Sequence, residues 1–292
     1  TQGVSSAASD VYKRQDASLA SLTLNGSGNT RVTLNTSVAA FTFTDNSTNA
    51  TTNASGAGSG IVTLTAASLS GLTLAGTKAE YINAASTAST ILTVTNNNTG
   101  GTSTINGLTS TGGVMTTLAL SGSNATTITT FTDALAGGLT IVDSASAAQT
   151  ITTLTAAALT SLTVSNGSSS TMTIGAHAGN ALTTLNLLGN VAYTGTSTAT
   201  TAITVAGSTD NSNVSLTFSG TKAAATADTI TLGNGNNTVS YSAAGADNTA
   251  TSTITVGNGN NTISHSGAAG LIYATVGTGI NSVTFAAANA VS

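Results

Sequence analysis

The chain has 292 residues, a formal net charge of −4 and charged side chains at only 5% of positions, against roughly 25% in an average soluble domain. Five Lys and Arg residues, with only Lys13 and Arg14 adjacent, are too few and too scattered to neutralise a phosphate backbone, which excludes nucleic acid as a partner. Cysteine is absent, removing disulfides and thiolate metal sites, and no run approaches the ~18 apolar residues of a membrane-spanning helix.

Hydrophobic residues still make up 39% of the chain, much of it Leu, Val and Ile alternating with Thr. A disordered chain is usually poor in such β-branched residues, so this pattern has something to bury. The first fifteen residues, TQGVSSAASDVYKRQ, lack the alternation and contain Lys13 and Arg14. They resemble a translated sequencing adapter at the end of a gene fragment. The expectation is an artefact or a disordered tail over 1–15, with no signal peptide visible and the true start missing.

From residue 16 the signal is internal repetition. TLTAASLSGLTL at 63–74 recurs as TLTAAALTSLTV at 153–164, and both contain L-x-x-L-x-L. The spacing appears at Leu19, Leu22, Leu24; at Val38, Phe41, Phe43; and at Leu69, Leu72, Leu74. It returns at Met115, Leu118, Leu120; at Leu159, Leu162, Val164; and at Leu182, Leu185, Leu187. Leu92, Val94 and Leu139, Ile141 keep only the last two positions. Aligned on the first position (69, 89, 115, 136, 159, 182), the steps are 20, 26, 21, 23 and 23 residues.

In L-x-L both apolar side chains lie on one face of a strand, and the intervening Thr lies on the other. One unit cannot bury its leucines alone, but stacked units can. The spacing superficially matches a leucine-rich repeat, with Asn190 at the expected place. The return segments are Ala, Ser, Gly, Thr and Asn, with almost no helix-favouring Glu, Lys or Arg. The expected fold is therefore all-β: a parallel β-solenoid (β-helix or β-roll) with irregular rungs of about 20–26 residues over 16–220. The Gly/Asn/Ser-rich stretches at 45–60 and 96–107 read as projecting loops.

Near residue 221 the leucine units give way to LGNGNNTVS (232–240), VGNGNNTIS (256–264) and VGTGINSVT (276–284). These resemble the RTX nonapeptide G-G-x-G-x-D-x-U-x of calcium-dependent extracellular β-rolls. Gly233 and Gly235, Gly257 and Gly259, and Gly277 and Gly279 occupy its second and fourth positions, and Val239, Ile263 and Val283 its apolar eighth. The sixth position, normally a calcium-ligating Asp, is Asn237, Asn261 and Asn281, and the first glycine is Leu232, Val256 and Val276. Asp228, nine residues before Asn237, offers one carboxylate; Asp247 falls at the first position of its own frame. Two readings stay open for 221–292: a degenerate calcium site on these residues, or asparagines stacked as a metal-free amide ladder.

Two histidines, His177 and His265, stand in Gly/Ser-rich surroundings that suggest solvated loops. Asp45, Glu80, Asp133, Asp143 and Asp210 are dispersed without the paired spacing of acid–base catalysis, so no enzyme is expected. The resemblance implies an extracellular, bacterial surface-layer or surface-fibre segment, whose partners are copies of itself or cell-surface components. An adhesin segment binding a surface or glycan, with weak calcium binding in the C-terminal repeats, is the alternative, although the two predicted loops hold no aromatic anchor. Rows such as Thr42/Thr44 and Thr63/Thr65 could order water on a solenoid face, but unequal steps argue against a registered array.

Overall fold

In a computed structural model, the described residues are 2–5, 10–15, 17–26, 30–48, 60–220, 226–242, 251–266 and 271–285. Among them are 27 β-strands and no helix. The chain divides into two compact units, residues 1–135 with 142–155, and residues 136–141 with 156–292.

In the first unit one sheet runs Gln2–Ser5, Ser21–Gly26, Ala40–Ser47, Gly71–Gly76, Ile91–Asn96, Thr117–Gly122. A second sheet takes the intervening strands: Asp10–Gln15, Thr30–Asn35, Gly60–Thr65, the short Tyr81–Ile82, Ser103–Ser110, Thr126–Asp133 and Gln149–Thr155. The second unit repeats the plan. Ser161–Asn166, Thr184–Gly189, Thr204–Gly207, Thr229–Leu232, Thr251–Val256 and Leu271–Val276 lie in one sheet. Met172–Ala178, Val191–Ser197, Val214–Phe218, Thr238–Tyr241, Thr262–His265 and Ser282–Phe285 lie in the other. Each rung thus gives one strand to each sheet, and rungs pair in parallel. This is the expected β-solenoid. Within the N-terminal fifteen residues, Gln2–Ser5 and Asp10–Gln15 pair in parallel with Ser21–Gly26 and Thr30–Asn35.

The leucine units point inward. Leu72, Leu118, Leu162 and Leu185 are all buried, as are Phe41, Phe43 and Phe131. The leading leucine of the unit has its own role: Leu69 and Leu159 close turns by donating their N–H to Ala66 and Ala156 at 2.9 and 3.1 Å, and their side chains are buried. Val38, in the same slot, is only half-buried. The threonines between leucines, such as Thr73, Thr163 and Thr184, are half-buried rather than free, because parallel register sets them against outward side chains of neighbouring rungs.

Register agrees with the sequence alignment in places and departs from it in others. Leu162 stacks on Leu185 and Val164 on Leu187, an offset of 185 − 162 = 23. Leu92 stacks on Leu118, an offset of 26. Val94, however, lies over Leu72 and Asn96 over Leu74, an offset of 22 where the aligned motifs give 20. Likewise Leu22 lies over Phe43 and Leu24 over Asp45, an offset of 21 where the motifs give 19. A two-residue slip keeps every side chain on its face, so apolar alternation cannot distinguish the two registers. The predicted loop at 96–107 is also corrected. Its second half belongs to the Ser103–Ser110 strand, with Ser103, Ile105 and Leu108 facing inward. The other predicted loop, 45–60, begins in the Ala40–Ser47 strand and ends at Gly60, the first residue of a strand, while 49–59 lie outside the described residues.

Leu162→Ala should cost ~2–5 kcal/mol by leaving a cavity between rungs. Thr163→Ala removes an outward hydroxyl that accepts one bond from Asn186 Nδ2 at 3.2 Å, and should cost well under that. Chemical denaturation of the two variants measures the difference, and equal losses would contradict the assignment of faces.

Candidate functional site

The glycine–asparagine turns join the two sheets at one edge of the second unit. Each follows a strand of one sheet (Thr229–Leu232, Thr251–Val256, Leu271–Val276) and leads into a strand of the other (Thr238–Tyr241, Thr262–His265, Ser282–Phe285). Leu232, Val256 and Val276, which replace the first family glycine, end the first strands in register with one another.

The glycine pairs have two different reasons. Gly235, Gly259 and Gly279 have φ of +142°, +130° and +129°, which only glycine adopts without strain. Gly257 and Gly277 have no positive φ, but a Cβ on either would come within 2.7 Å and 2.6 Å of the backbone one rung away. A Cβ on Gly233 would strike the Asp210 carbonyl oxygen.

Asn237, Asn261 and Asn281 form a continuous amide column. Asn237 Nδ2 donates to Asn261 Oδ1 at 3.1 Å, and Asn261 Nδ2 to Asn281 Oδ1 at 2.9 Å. The same Oδ1 atoms accept the backbone N–H of the preceding column member, Asn237 and Asn261, each at 3.1 Å. Within its own turn each Nδ2 also faces two glycine carbonyls: Gly233 and Gly235 at 3.0 and 3.3 Å for Asn237, Gly257 and Gly259 at 3.0 Å for Asn261. Asn281 does the same with Gly277 at 2.9 Å and Gly279 at 3.4 Å. Two exposed columns run beside it. Asn234 Oδ1 accepts Asn258 N–H and Asn236 Oδ1 accepts Asn260 N–H, both at 2.9 Å. Asn258 and Asn260 repeat this with the N–H groups of Thr278 and Ile280 at 2.9 and 3.0 Å.

These residues do not fit a calcium ion. Calcium seeks ~6–8 oxygens, usually with carboxylates among them. Here the side-chain oxygens of Asn261 and Asn281 already accept two amide bonds each, and amide hydrogens face the glycine carbonyls. Asp228 is not part of the turns; it stands at the opposite end of the Thr229–Leu232 strand. Its Oδ1 accepts Ile203 N–H at 2.8 Å, its Oδ2 accepts Tyr241 Oη at 3.1 Å, and its own N–H donates to Ser252 Oγ at 3.0 Å. Asp247 lies outside the described residues.

The asparagine column is one case of a wider device. At several corners into the second sheet a backbone N–H points toward the next rung and meets a side-chain oxygen there, while at others, such as Ser103 and Met172, it meets a backbone carbonyl. In the second unit Asp210 Oδ1 serves Val191 N–H at 3.1 Å and Asn237 Oδ1 serves Val214 N–H at 3.2 Å. In the first unit Ser103 Oγ serves Glu80 N–H at 3.1 Å and Gln149 Oε1 serves Thr126 N–H at 2.9 Å. Four residue types do one job, which hides it from a search for repeated letters.

The titratable groups that looked dispersed and solvated are buried. Asp45, Asp133, Asp143 and Asp210 each close a turn, with Oδ1 accepting the N–H two residues on at 2.8, 3.1, 2.9 and 2.9 Å, while Oδ2 has no hydrogen-bond partner. Burial pushes Asp143 and Asp210 up to about 6 and raises Asp133. Glu80 is 1% exposed. Its Oε2 accepts Ser103 Oγ and Asn98 Nδ2, and its Oε1 has no hydrogen-bond partner. Burial lifts it to about 7, against the lowering by those donors and with a smaller upward push from Asp45. The histidines are corrected as well. His177 is inside, its Nδ1 paired with Tyr193 Oη at 2.7 Å, and burial lowers it to about 4. His265 is buried at the end of a Phe218–Tyr241–His265 stack with ring centroids 4.8 and 5.9 Å apart. Among the described residues no three His, Asp or Glu side chains converge. Comparison with protein-family models, with characterised proteins and with solved structures yields no match.

Asn261→Ala leaves the buried Asn237 N–H without its acceptor and should cost ~1–3 kcal/mol. The wild-type melting temperature should be the same in calcium and in chelator, and a calcium-dependent rise in calorimetry would overturn the amide-ladder account.

Stability should also vary with pH. The raised carboxyls hold protons more tightly in the folded state, so their contribution is full below about pH 4 and disappears as the pH climbs through 6 to 7. His177 has a depressed pKa, so its contribution is full above 6.5 and disappears as the pH falls toward 4. His177 and His265, both depressed by burial, act in the opposite direction as the unfolded imidazoles begin to protonate on the approach to pH 6.5. The carboxyl contribution is therefore read from a variant: in calorimetry Glu80→Gln should raise the melting temperature more at pH 8 than at pH 5.5.

Proposed function

We propose that the chain is a non-catalytic structural segment of an extracellular bacterial surface-layer or surface-fibre protein. The observation that carries this reading is how the two kinds of polar residue are distributed. Among the described residues Asp45, Glu80, Asp133, Asp143, Asp210, Asp228 and both histidines lie inside, whereas outward positions carry Thr, Ser and Asn in columns from rung to rung. Such a chain displays almost no group able to transfer a proton or attack a bond, and much surface able to pack against copies of itself. The RTX-like turns support an exported β-roll, with asparagine amides in place of the carboxylates that hold calcium in that family. Partners are then further copies or cell-surface components. The adhesin alternative is weakened, because half of one proposed contact loop is the Ser103–Ser110 strand.

Antibody to the purified chain should label intact producing cells, and the concentrated protein should form ordered assemblies in negative-stain electron microscopy. Labelling only after lysis would overturn the extracellular assignment, and a strictly monomeric protein at every concentration would overturn the structural role.

A further inference from the structure

Unequal rung lengths argue from the sequence against a registered threonine array. The pairing removes that objection, because most extra residues are placed between strands. In the second sheet of the first unit, Thr65, Ser86, Thr109, Thr132 and Thr155 form one outward column of five hydroxyls. Thr104, Thr127 and Thr150 form a second, with Thr130 and Thr153 between the two. From Ser86 onward the step is constant: 109 − 86, 132 − 109 and 155 − 132 are each 23 residues. Thr65, Thr109 and Thr155 are exposed, and Ser86 and Thr132 are half-exposed. The outward positions of Ser103–Ser110, Thr126–Asp133 and Gln149–Thr155 carry no charged side chain; Asp133 faces the core.

We propose that this face binds ice. Parallel pairing spaces the hydroxyls ~4.7–4.9 Å apart from rung to rung and ~6.6 Å apart between Thr130 and Thr132 along a strand. The rung repeat lies close to the oxygen repeat along the a axis of hexagonal ice. Threonine is stiff at χ1, so methyl and hydroxyl are already ordered before contact and little side-chain entropy is lost on binding. A methyl beside each threonine hydroxyl holds water in cages that continue a lattice, and the absence of charge leaves no competing hydration shell. Ten hydroxyl side chains in three columns on a β-sheet framework supply the repetition that a crystal surface requires.

Ice-affinity partition of the full chain tests this. With a slowly growing ice shell, the wild type should be incorporated at least tenfold above an inert soluble protein. Thr132→Lys, in the middle of the five-hydroxyl column, should lose that enrichment. Thr231→Lys, outward on the other sheet and in the second unit, should retain it. Circular dichroism confirms the fold of each variant, and Thr109→Tyr, at a more exposed position, replaces Thr132→Lys if that variant does not fold. Exclusion of the wild type from ice, or equal incorporation of the column variants, overturns the proposal. A wild type excluded from ice whose dimer is dissociated by Thr132→Lys in sedimentation assigns the face to a second copy instead.

Discussion

The structure depends on closing the corner between two sheets without leaving a buried backbone N–H unpaired. Strand groups find partners automatically in the parallel ladder, but the group at the entry to the second sheet points past the end of that ladder. An unsatisfied buried N–H costs ~1–3 kcal/mol, a large share of the stability one rung can supply. At several corners the chain meets this with a side-chain oxygen from the next rung: Ser103 for Glu80, Gln149 for Thr126, Asp210 for Val191, Asn237 for Val214. The bond joins consecutive rungs, so it specifies register as well as satisfying a donor.

The asparagine turns are that solution at its most regular. In Asn261 one amide accepts from the rung before through Oδ1, while its Nδ2 donates to the rung after and to its own glycine carbonyls. A carboxylate could accept the same bonds but could not donate, and a stack of carboxylates would repel unless a cation lay between them. Neutral amides remove the need for the cation. Glycine is required on both sides of the turn because adjacent rungs approach too closely for a Cβ.

Low surface charge and buried carboxyls follow from the same economy of polar groups. Asp133, Asp143 and Asp210 are placed where one oxygen closes a turn and the other has no hydrogen-bond partner. Such a group is more easily buried with a proton than as an anion, and its pKa rises accordingly. His177 follows the mirror rule, remaining neutral beside Tyr193. Rung length varies without harm because most extra residues fall between strands, where closure entropy grows only slowly with length, and register shifts inside strands occur at Val32/Thr33 and Ile174/His177.

The amino-acid sequence by itself determined the parallel solenoid and the inward leucines, and it left two readings open at Asn237, Asn261 and Asn281, a calcium site or an amide ladder. Each rests on local alternation or on a short repeat, and both are legible one rung at a time. Only the tertiary structure decided that Val94 stacks on Leu72, that Leu24 faces Asp45, and that Asp228 stands away from the glycine turns. A strand's faces repeat every two residues, so a slip of two leaves the sequence pattern unchanged and is resolved only by contacts between rungs. The buried Asx residues and His177 escaped for a related reason. A polar residue among Ser, Gly and Ala looks like a loop residue until the next rung covers it.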